Sequence, residues 1–569
     1  MDMNPIIEFK DFTYQYFSQA HPTLHDINLA IYPGEKILIV GPSGSGKSTL
    51  GYCINGLIPF AYKGEITGSL AVNGRATADQ NIFELSKQVG TVLQDSDGQF
   101  VGLTAGEDIA FALENENLPV EPMRDRVRRV AGMVGMEALL KSSPFELSGG
   151  QKQRTSLAGV MVHDVDILLF DEPLANLDPA TGKVAIEIID DIQRKSGKTI
   201  VIIEHRLEDV LHRHVDRVIV LDDGRIVADL NAHDLVSSQI LTNCGIREPL
   251  YVTALKYADV KVKPEIDPGY ITTLECESTK KDLVAWQKSI VVDERENTNP
   301  SILRMADVTF SYDGERNVLE DIGFDIREGE MVSLVGKNGA GKSTLSKLLC
   351  GFEKQDRGQI FFRGEDIAYK TIKERAEIIG AVLQNPNQMI SKPMIYDEVA
   401  LGLRFRGVDE SEIQERVEKV LKVCGLSPFI EWPISALSYG QKKRVTIASI
   451  LVLDPKILIL DEPTAGQDYR HYTDIMEFLV DVNKLGVTII LITHDMHLML
   501  EYTPRAIVLS EGKLIADTDA SVVLTDAEII RKANLKETSL YNLAQKIGIE
   551  DGARFVQNFI DYERRIKNR

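Results

Sequence analysis

The chain has 569 residues, of which 44% are hydrophobic and 26% charged, a globular composition with room for three or four domains of roughly 150 residues. Lys and Arg total 64 against 85 Asp and Glu, and the net charge of −21 argues against nucleic acid or anionic lipid as a direct partner, since both reward a basic surface. No run reaches the ~18–20 apolar residues that cross a bilayer, and the opening MDMNPIIEFKDF lacks the apolar core of a secretory signal.

In chain order, the first clear element is KILIV at 36–40, a continuous apolar run leading straight into the glycine turn GPSGSGKSTL at 41–50. Such a run suits a strand buried on both faces of a parallel sheet. VDILLF at 165–170 and TIVII at 199–203 are similar, and helical stretches lie between them, which implies an α/β fold. Much of this wording then returns. GKNGAGKSTL at 336–345 follows the first glycine turn by 295 positions, and LSYGQKKR from Leu437 follows LSGGQKQR from Leu147 by 290. LILDEP from Leu458 follows LLFDEP from Leu168 by 290, and His494 follows His205 by 289. Each repeat is long enough to hold its own core. Leu250, Tyr251, Ala254 and Lys256 match Leu540, Tyr541, Ala544 and Lys546, so each half closes on a corresponding helix. The expected division is a first domain at 1–262, a linker at 263–298 marked by Pro264 and Pro268, and a second domain at 299–569. The five cysteines are scattered and form no CxxC pair, so they read as small core hydrophobes in a reducing compartment.

The repeated turns satisfy the P-loop pattern: Gly41, Gly46, Lys47 and Ser48 in one half, Gly336, Gly341, Lys342 and Ser343 in the other. Glycines, Gly44 and Gly339 among them, let the backbone wrap phosphates so that its N–H groups face the anion. Lys47 and Lys342 are expected on the β/γ-phosphates of a nucleotide, Ser48 and Ser343 on Mg²⁺, with Thr49 and Thr344 completing each loop. Asp171-Glu172 and Asp461-Glu462 end apolar runs. The first acid of each pair suits the Mg²⁺ shell, and the second suits orienting or deprotonating an attacking water. His205 and His494 end further apolar runs and are expected to contact the γ-phosphate.

With LSGGQ at 147–151 beside a P-loop, both halves resemble ATP-binding-cassette (ABC) ATPase domains over almost the whole chain. The resemblance implies two P-loop NTPase domains in one chain, each a RecA-like core with a helical signature subdomain. It also implies a head-to-tail sandwich in which each ATP lies between one half's P-loop and the other half's signature. Ser148, Gly149, Gly150 and Gln151, and Ser438, Gly440 and Gln441, would form the second anion cradle. By the same resemblance, Gln94 and Gln384 are the Q-loop glutamines that sense Mg²⁺ and the transporter. Tyr16 and Tyr312 stack on adenine, and Asp178 and Asp468 lie in the D-loops. The second signature departs from the pattern with Tyr439 in place of Gly149. If that position needs positive φ, Tyr439 carries strain of order 1–2 kcal/mol and the site of Lys47 and Glu172, facing it, hydrolyses more slowly; otherwise the side chain points away and costs little.

Among two-cassette chains, a translation factor acting on ribosomes resembles cassettes joined by a basic linker, unlike the neutral to acidic one here. DNA-repair ATPases of this type carry cysteine zinc modules, which are missing. Tandem sugar-import ATPases often lose the second catalytic acid, whereas Glu462 is present. GTVLQDSDGQF, GAVLQNPNQMI and GIREPLYVTALKYADV resemble the energy-coupling-factor (ECF) import ATPases. That resemblance implies an ATPase that energises uptake of a vitamin, micronutrient or metal ion. Its partners would be integral membrane subunits, one for coupling and one for substrate binding. It would lie peripherally on the cytoplasmic side of the cell membrane, in contact with the membrane through those proteins.

Overall fold

Continuous and alternating apolar patterns sort into different sheets. The computed structural model describes residues 4–93, 97–175, 177–290 and 298–567, and the chain divides into Met1–Leu283 and Val284–Arg569.

In the first unit, strands β1 (Ile7–Tyr16), β2 (Leu24–Ile31), β4 (Gly64–Val72) and β5 (Arg75–Ala76) form an antiparallel sheet in the order β2-β1-β4-β5. The second sheet has the order β10-β9-β3-β8-β7-β6. Its members are β3 (Lys36–Val40), β6 (Val89–Val92), β7 (Ile167–Asp171), β8 (Thr199–Ile203), β9 (Arg217–Asp222) and β10 (Arg225–Leu230). All of its pairings are parallel except β9 with β10. Every residue of β3, β7 and β8 is buried, as expected of strands covered on both faces. Ile37, Ile39, Leu169 and Val201 of this sheet pack with Phe9, Ile27 and Leu70 of the other in one core.

Three helices, Ala105–Asn115, Val120–Val134 and Gly149–Met161, make a separate subdomain between β6 and β7. Thr104 and Glu107 close the first of them with a capping box, and Ile109, Leu113, Val130 and Ala158 are buried.

The second unit repeats this plan. The strands β11 (Ser301–Ser311), β12 (Asn317–Arg327), β14 (Arg357–Phe362) and β15 (Glu365–Asp366) give the order β12-β11-β14-β15. The strands β13 (Met331–Gly336), β16 (Ile379–Val382), β17 (Ile457–Asp461), β18 (Thr488–Ile492), β19 (Arg505–Ser510) and β20 (Lys513–Asp519) give β16-β17-β18-β13-β19-β20. Its helical subdomain, Ile395–Phe405, Glu410–Val423 and Tyr439–Leu451, closes on Val399, Leu403, Ile413, Val417 and Leu421. Each unit is therefore α/β, a mostly parallel core carrying a helical subdomain.

The closing segments are folded rather than loose. Tyr270 donates its hydroxyl to the Val215 carbonyl at 3.0 Å and accepts from the Val215 amide at 3.1 Å, within the first unit. In the second unit, Trp286 meets Phe555 and Tyr562 edge-on at 5.8 and 5.5 Å, and Asn558 donates to the Gln287 carbonyl. The stretch 263–298, read from its prolines as a linker, thus contains a 3₁₀ turn at Pro264–Ile266 and a helix at Lys280–Ser289. Among the described residues no helix is long and apolar enough to cross a membrane. All five cysteines are free, and all but Cys244 are buried.

Candidate functional site

Each unit brings its predicted P-loop to the C-terminal end of the central parallel strand. In the first, β3 runs into the loop, and Gly46 at φ 97° starts the helix Lys47–Ile54. A Cβ on Gly46 would lie 2.8 Å from Leu24, and one on Gly41 would lie 2.1 Å from the Leu221 carbonyl oxygen, so the loop is drawn too tightly for a side chain at either glycine. Lys47 is buried and donates its ammonium to the carbonyls of Gly41 at 2.9 Å and Pro42 at 2.8 Å. Lys342 does the same with Gly336 at 2.7 Å and Lys337 at 3.1 Å, behind Gly341 at φ 103°. An ammonium held by its own loop's carbonyls at a helix N-terminus is placed to meet an anion entering the cradle.

The acids arrive on β7 and β17, each one strand removed from the P-loop strand. Ser48 donates to Asp171 at 3.2 Å, so a hydroxyl and a carboxylate lie side by side, the hard oxygen set that suits Mg²⁺. Burial, with the adjacent Glu172, raises the Asp171 carboxyl to about 6; burial raises Asp461 as well. Among the described residues no group of three or more His, Cys, Asp and Glu side chains could hold a metal ion by itself.

Glu172 and Glu462 both sit in the left-handed region, at φ 50° and 44°, just past the ends of β7 and β17. His205 Nε2 lies 2.7 Å from Glu172, and His494 Nε2 lies 3.3 Å from Glu462. Their electrostatics differ. Burial pushes the Glu172 carboxyl up, but the bond from His205 and the charges of His205, Lys47 and Arg206 outweigh it and hold it below its ordinary value. Burial and Asp461 push Glu462 up to about 8, and Asp495 adds to the rise where the first unit has Arg206. Thr493 donates to Glu462 at 3.4 Å, whereas its counterpart Glu204 is buried and accepts from the amides of Leu174, His205 and Arg206.

The signature residues lie on the helical subdomains. Ser148 caps the helix Gly149–Met161, with Gln151 returning to its amide at 2.8 Å, and Ser438 and Gln441 do the same for Tyr439–Leu451. The serine and glutamine of each signature are therefore a capping box, which fixes the turn that carries Gly149, Gly150 and Gly440. A Cβ on Gly150 would lie 2.5 Å from Thr181, on the helix Pro179–Ser196. That helix is capped by Asp178, and Tyr469–Lys484 is capped by Asp468. Tyr439 is the first residue of its helix and is not among the positive-φ residues, so the backbone there does not demand glycine. Gln94 lies outside the described residues. Gln384 follows β16 and is exposed.

Tyr16 and Tyr312 reach the P-loop helices, their hydroxyls paired with Thr49 at 3.1 Å and Thr344 at 3.3 Å. Sequence reasoning missed their neighbours. Tyr62 stacks on Tyr52 at 5.2 Å and meets Tyr16 edge-on. Lys347, one turn along the second helix, lies 5.6 Å over the Tyr312 ring. Their signal was available: both positions fall five residues after the P-loop lysine, on the same helix.

The family described as ABC transporter matches residues 24–175 and 319–465, and one described as ATP-binding cassette cobalt transporter matches 238–310. A chain of Clostridium perfringens described as an ABC transporter ATP-binding protein is 59% identical over 568 residues, covering 100% of both chains. One from Vibrio parahaemolyticus with the same description is 55% identical over 98% of this chain and 96% of that one. A solved structure, cbiO1 from Clostridium perfringens, described as part of the ABC transporter complex cbiONQ, is 37% identical over 44% of this chain and all of its own, with a TM-score of 0.39.

Proposed function

The chain belongs to the ABC transporter family as a tandem ATPase that uses ATP and Mg²⁺, and from that premise we propose that it energises an ECF-type importer of a vitamin, micronutrient or metal ion. Its partners would be integral membrane coupling and substrate-binding subunits, through which it sits on the cytoplasmic face of the membrane. The match of residues 238–310 to a cobalt-transporter family supports this reading and favours a metal ion within that range.

The observation that carries it is the recurrence of the P-loop lysine and the glutamate–histidine pair in both units. Each unit has its P-loop lysine and a glutamate with a histidine beside it, and in the first the Ser48 hydroxyl adjoins Asp171. In this reading ATP enters each P-loop, where Lys47 or Lys342 leaves its loop carbonyls for the phosphates and Tyr16 or Tyr312 stacks on adenine. Ser48 with Asp171, and Ser343 with Asp461, would hold Mg²⁺, joined by Gln94 and Gln384; when bound it neutralises charge on the β- and γ-phosphates. Glu172 and Glu462 orient and deprotonate water, and His205 and His494 hold the γ-phosphate. The signature residues Ser148–Gln151 and Ser438–Gln441, with Asp178 and Asp468 beside them, complete the opposite unit's nucleotide, so two ATP molecules close an intrachain sandwich. Hydrolysis reopens it, and the motion passes to the membrane subunits near Gln94 and Gln384. Catalysis is then mostly positioning and charge stabilisation.

Affinity purification of the chain from detergent-solubilised membranes tests the proposal. Recovery of integral membrane proteins whose reconstituted, ATP-driven uptake is lost in the Glu172→Gln, Glu462→Gln double variant is expected. Recovery of ribosomes without an integral membrane protein overturns it.

A further inference from the structure

Two departures of the second signature from the first meet at one place. Tyr439 replaces Gly149 and Lys443 replaces Gln153; they are four residues apart, and so adjacent on one face of the helix Tyr439–Leu451. Lys443 is 1% exposed, and its ammonium donates to the carbonyl oxygens of Gln384 at 2.6 Å and Glu462 at 3.2 Å. The Tyr439 hydroxyl donates to the same Gln384 carbonyl at 3.4 Å. Among the described residues of the first unit, Gln153 gives its amide to the Pro173 carbonyl, and Gly149 has no side chain to give.

A buried ammonium is expensive unless its donors are used. Burial lowers that of Lys443 to about 8, with the nearby charges of Glu462 and Asp461 working the other way. Its two carbonyl partners belong to different segments. One is the loop after β16, and the other is the residue that follows β17 and carries the catalytic carboxylate. An apolar side chain of similar length could fill the space, but it could donate to neither oxygen.

We propose that Tyr439 and Lys443 are positioning residues forming a latch, which ties the Gln384 loop to the second unit's own signature helix and to Glu462. Gln384 and Glu462 then keep a fixed spacing to each other and to the signature helix. This rests on the ATPase reading above only for its catalytic consequence; the joint itself is a matter of hydrogen bonding.

Two readouts separate these. Hydrogen–deuterium exchange on the full-length chain should show faster exchange of the amides at 384–390 in Lys443→Met and in Tyr439→Phe, the second an exposed change that leaves the fold intact. In a Glu172→Gln background, where turnover depends on Glu462, Lys443→Met should lower kcat about tenfold with KM within about twofold, because misplacement of a catalytic group costs rate rather than ground-state binding. Lys443→Arg should restore most of the rate, since a guanidinium can bridge both carbonyls. Unchanged exchange at 384–390 in both variants overturns the latch, whatever the ATPase does. Faster exchange with unchanged kcat overturns its role in positioning Glu462. Should Glu462→Gln in the same background leave turnover intact, the ATPase assignment of that site fails, and exchange still decides the latch.

Discussion

Replacing Glu462 by glutamine should stabilise the nucleotide-free protein at alkaline pH, and the same change at Glu172 should not. Burial and Asp461 raise the Glu462 carboxyl from an ordinary 4.5 to about 8. The folded second unit therefore holds a proton that the unfolded chain has released, and its stability falls as pH rises from about 4.5 towards 8. At 1.36 kcal/mol per pKa unit the full penalty is on the order of a few kcal/mol. For a unit of this size that is roughly 10 °C in melting temperature. Glutamine keeps the shape and cannot ionise, so Glu462→Gln should flatten the fall between pH 6.5 and 9 and raise the melting temperature most at pH 9. Glu172 is held below its ordinary value by His205, so its contribution changes only at acid pH, and Glu172→Gln should leave the alkaline slope as it was. Scanning calorimetry in EDTA without nucleotide at pH 6.5, 7.5 and 9 measures this. Equal slopes in wild type and Glu462→Gln would refute the electrostatic contrast between the two sites.

Arg375 is 2% exposed and donates to the Leu348 and Leu349 carbonyls at the end of the helix Lys342–Cys350, while Leu85 occupies the matching place against Gly56 in the first unit. Arg375→Leu should therefore cost under about 1 kcal/mol and Arg375→Ala about 2–3 kcal/mol, compared by urea unfolding. Gly46→Ala, at φ 97° with Leu24 2.8 Å from the new Cβ, should abolish binding of a fluorescent ATP analogue at the first P-loop and leave the second at wild-type affinity. Tyr312→Ala should weaken nucleotide binding at the second P-loop about tenfold by losing the ring that Tyr312 presents, read by titration in the Gly46→Ala background. Chelation of Mg²⁺ should abolish turnover, and addition of Mg²⁺ should restore it, in a steady-state phosphate-release assay.

Much of the site was legible because its chemistry is local in sequence. Lys47, Ser48 and the glycines lie within one turn and its helix, so their spacing alone predicts a phosphate loop, whereas Asp171-Glu172 takes its reading from following a P-loop in both halves. The α/β reading followed in the same way from runs such as TIVII, buried throughout in β8. What sequence reasoning missed is long-range. The opposite electrostatics of Glu172 and Glu462 depend on Arg206 against Asp495 and on the tighter approach of His205. The partners of Tyr439 and Lys443 lie about 55 and 59 residues earlier, at Gln384. The part of the 263–298 stretch before Lys280 looked irregular because it is held by single contacts, such as Tyr270 on Val215, that leave no periodic trace.

Glu172 and Glu462, the proposed catalytic pair, both occupy left-handed backbone, which costs an L-residue with a long side chain of order 1 kcal/mol and costs glycine or asparagine much less. Mutational drift at positions 172 and 462 therefore runs downhill in folding energy and uphill in function: glycine or asparagine at either place would relax the turn and silence the site. A duplicated gene is free to let one copy slide in that direction, because the fold rewards the loss.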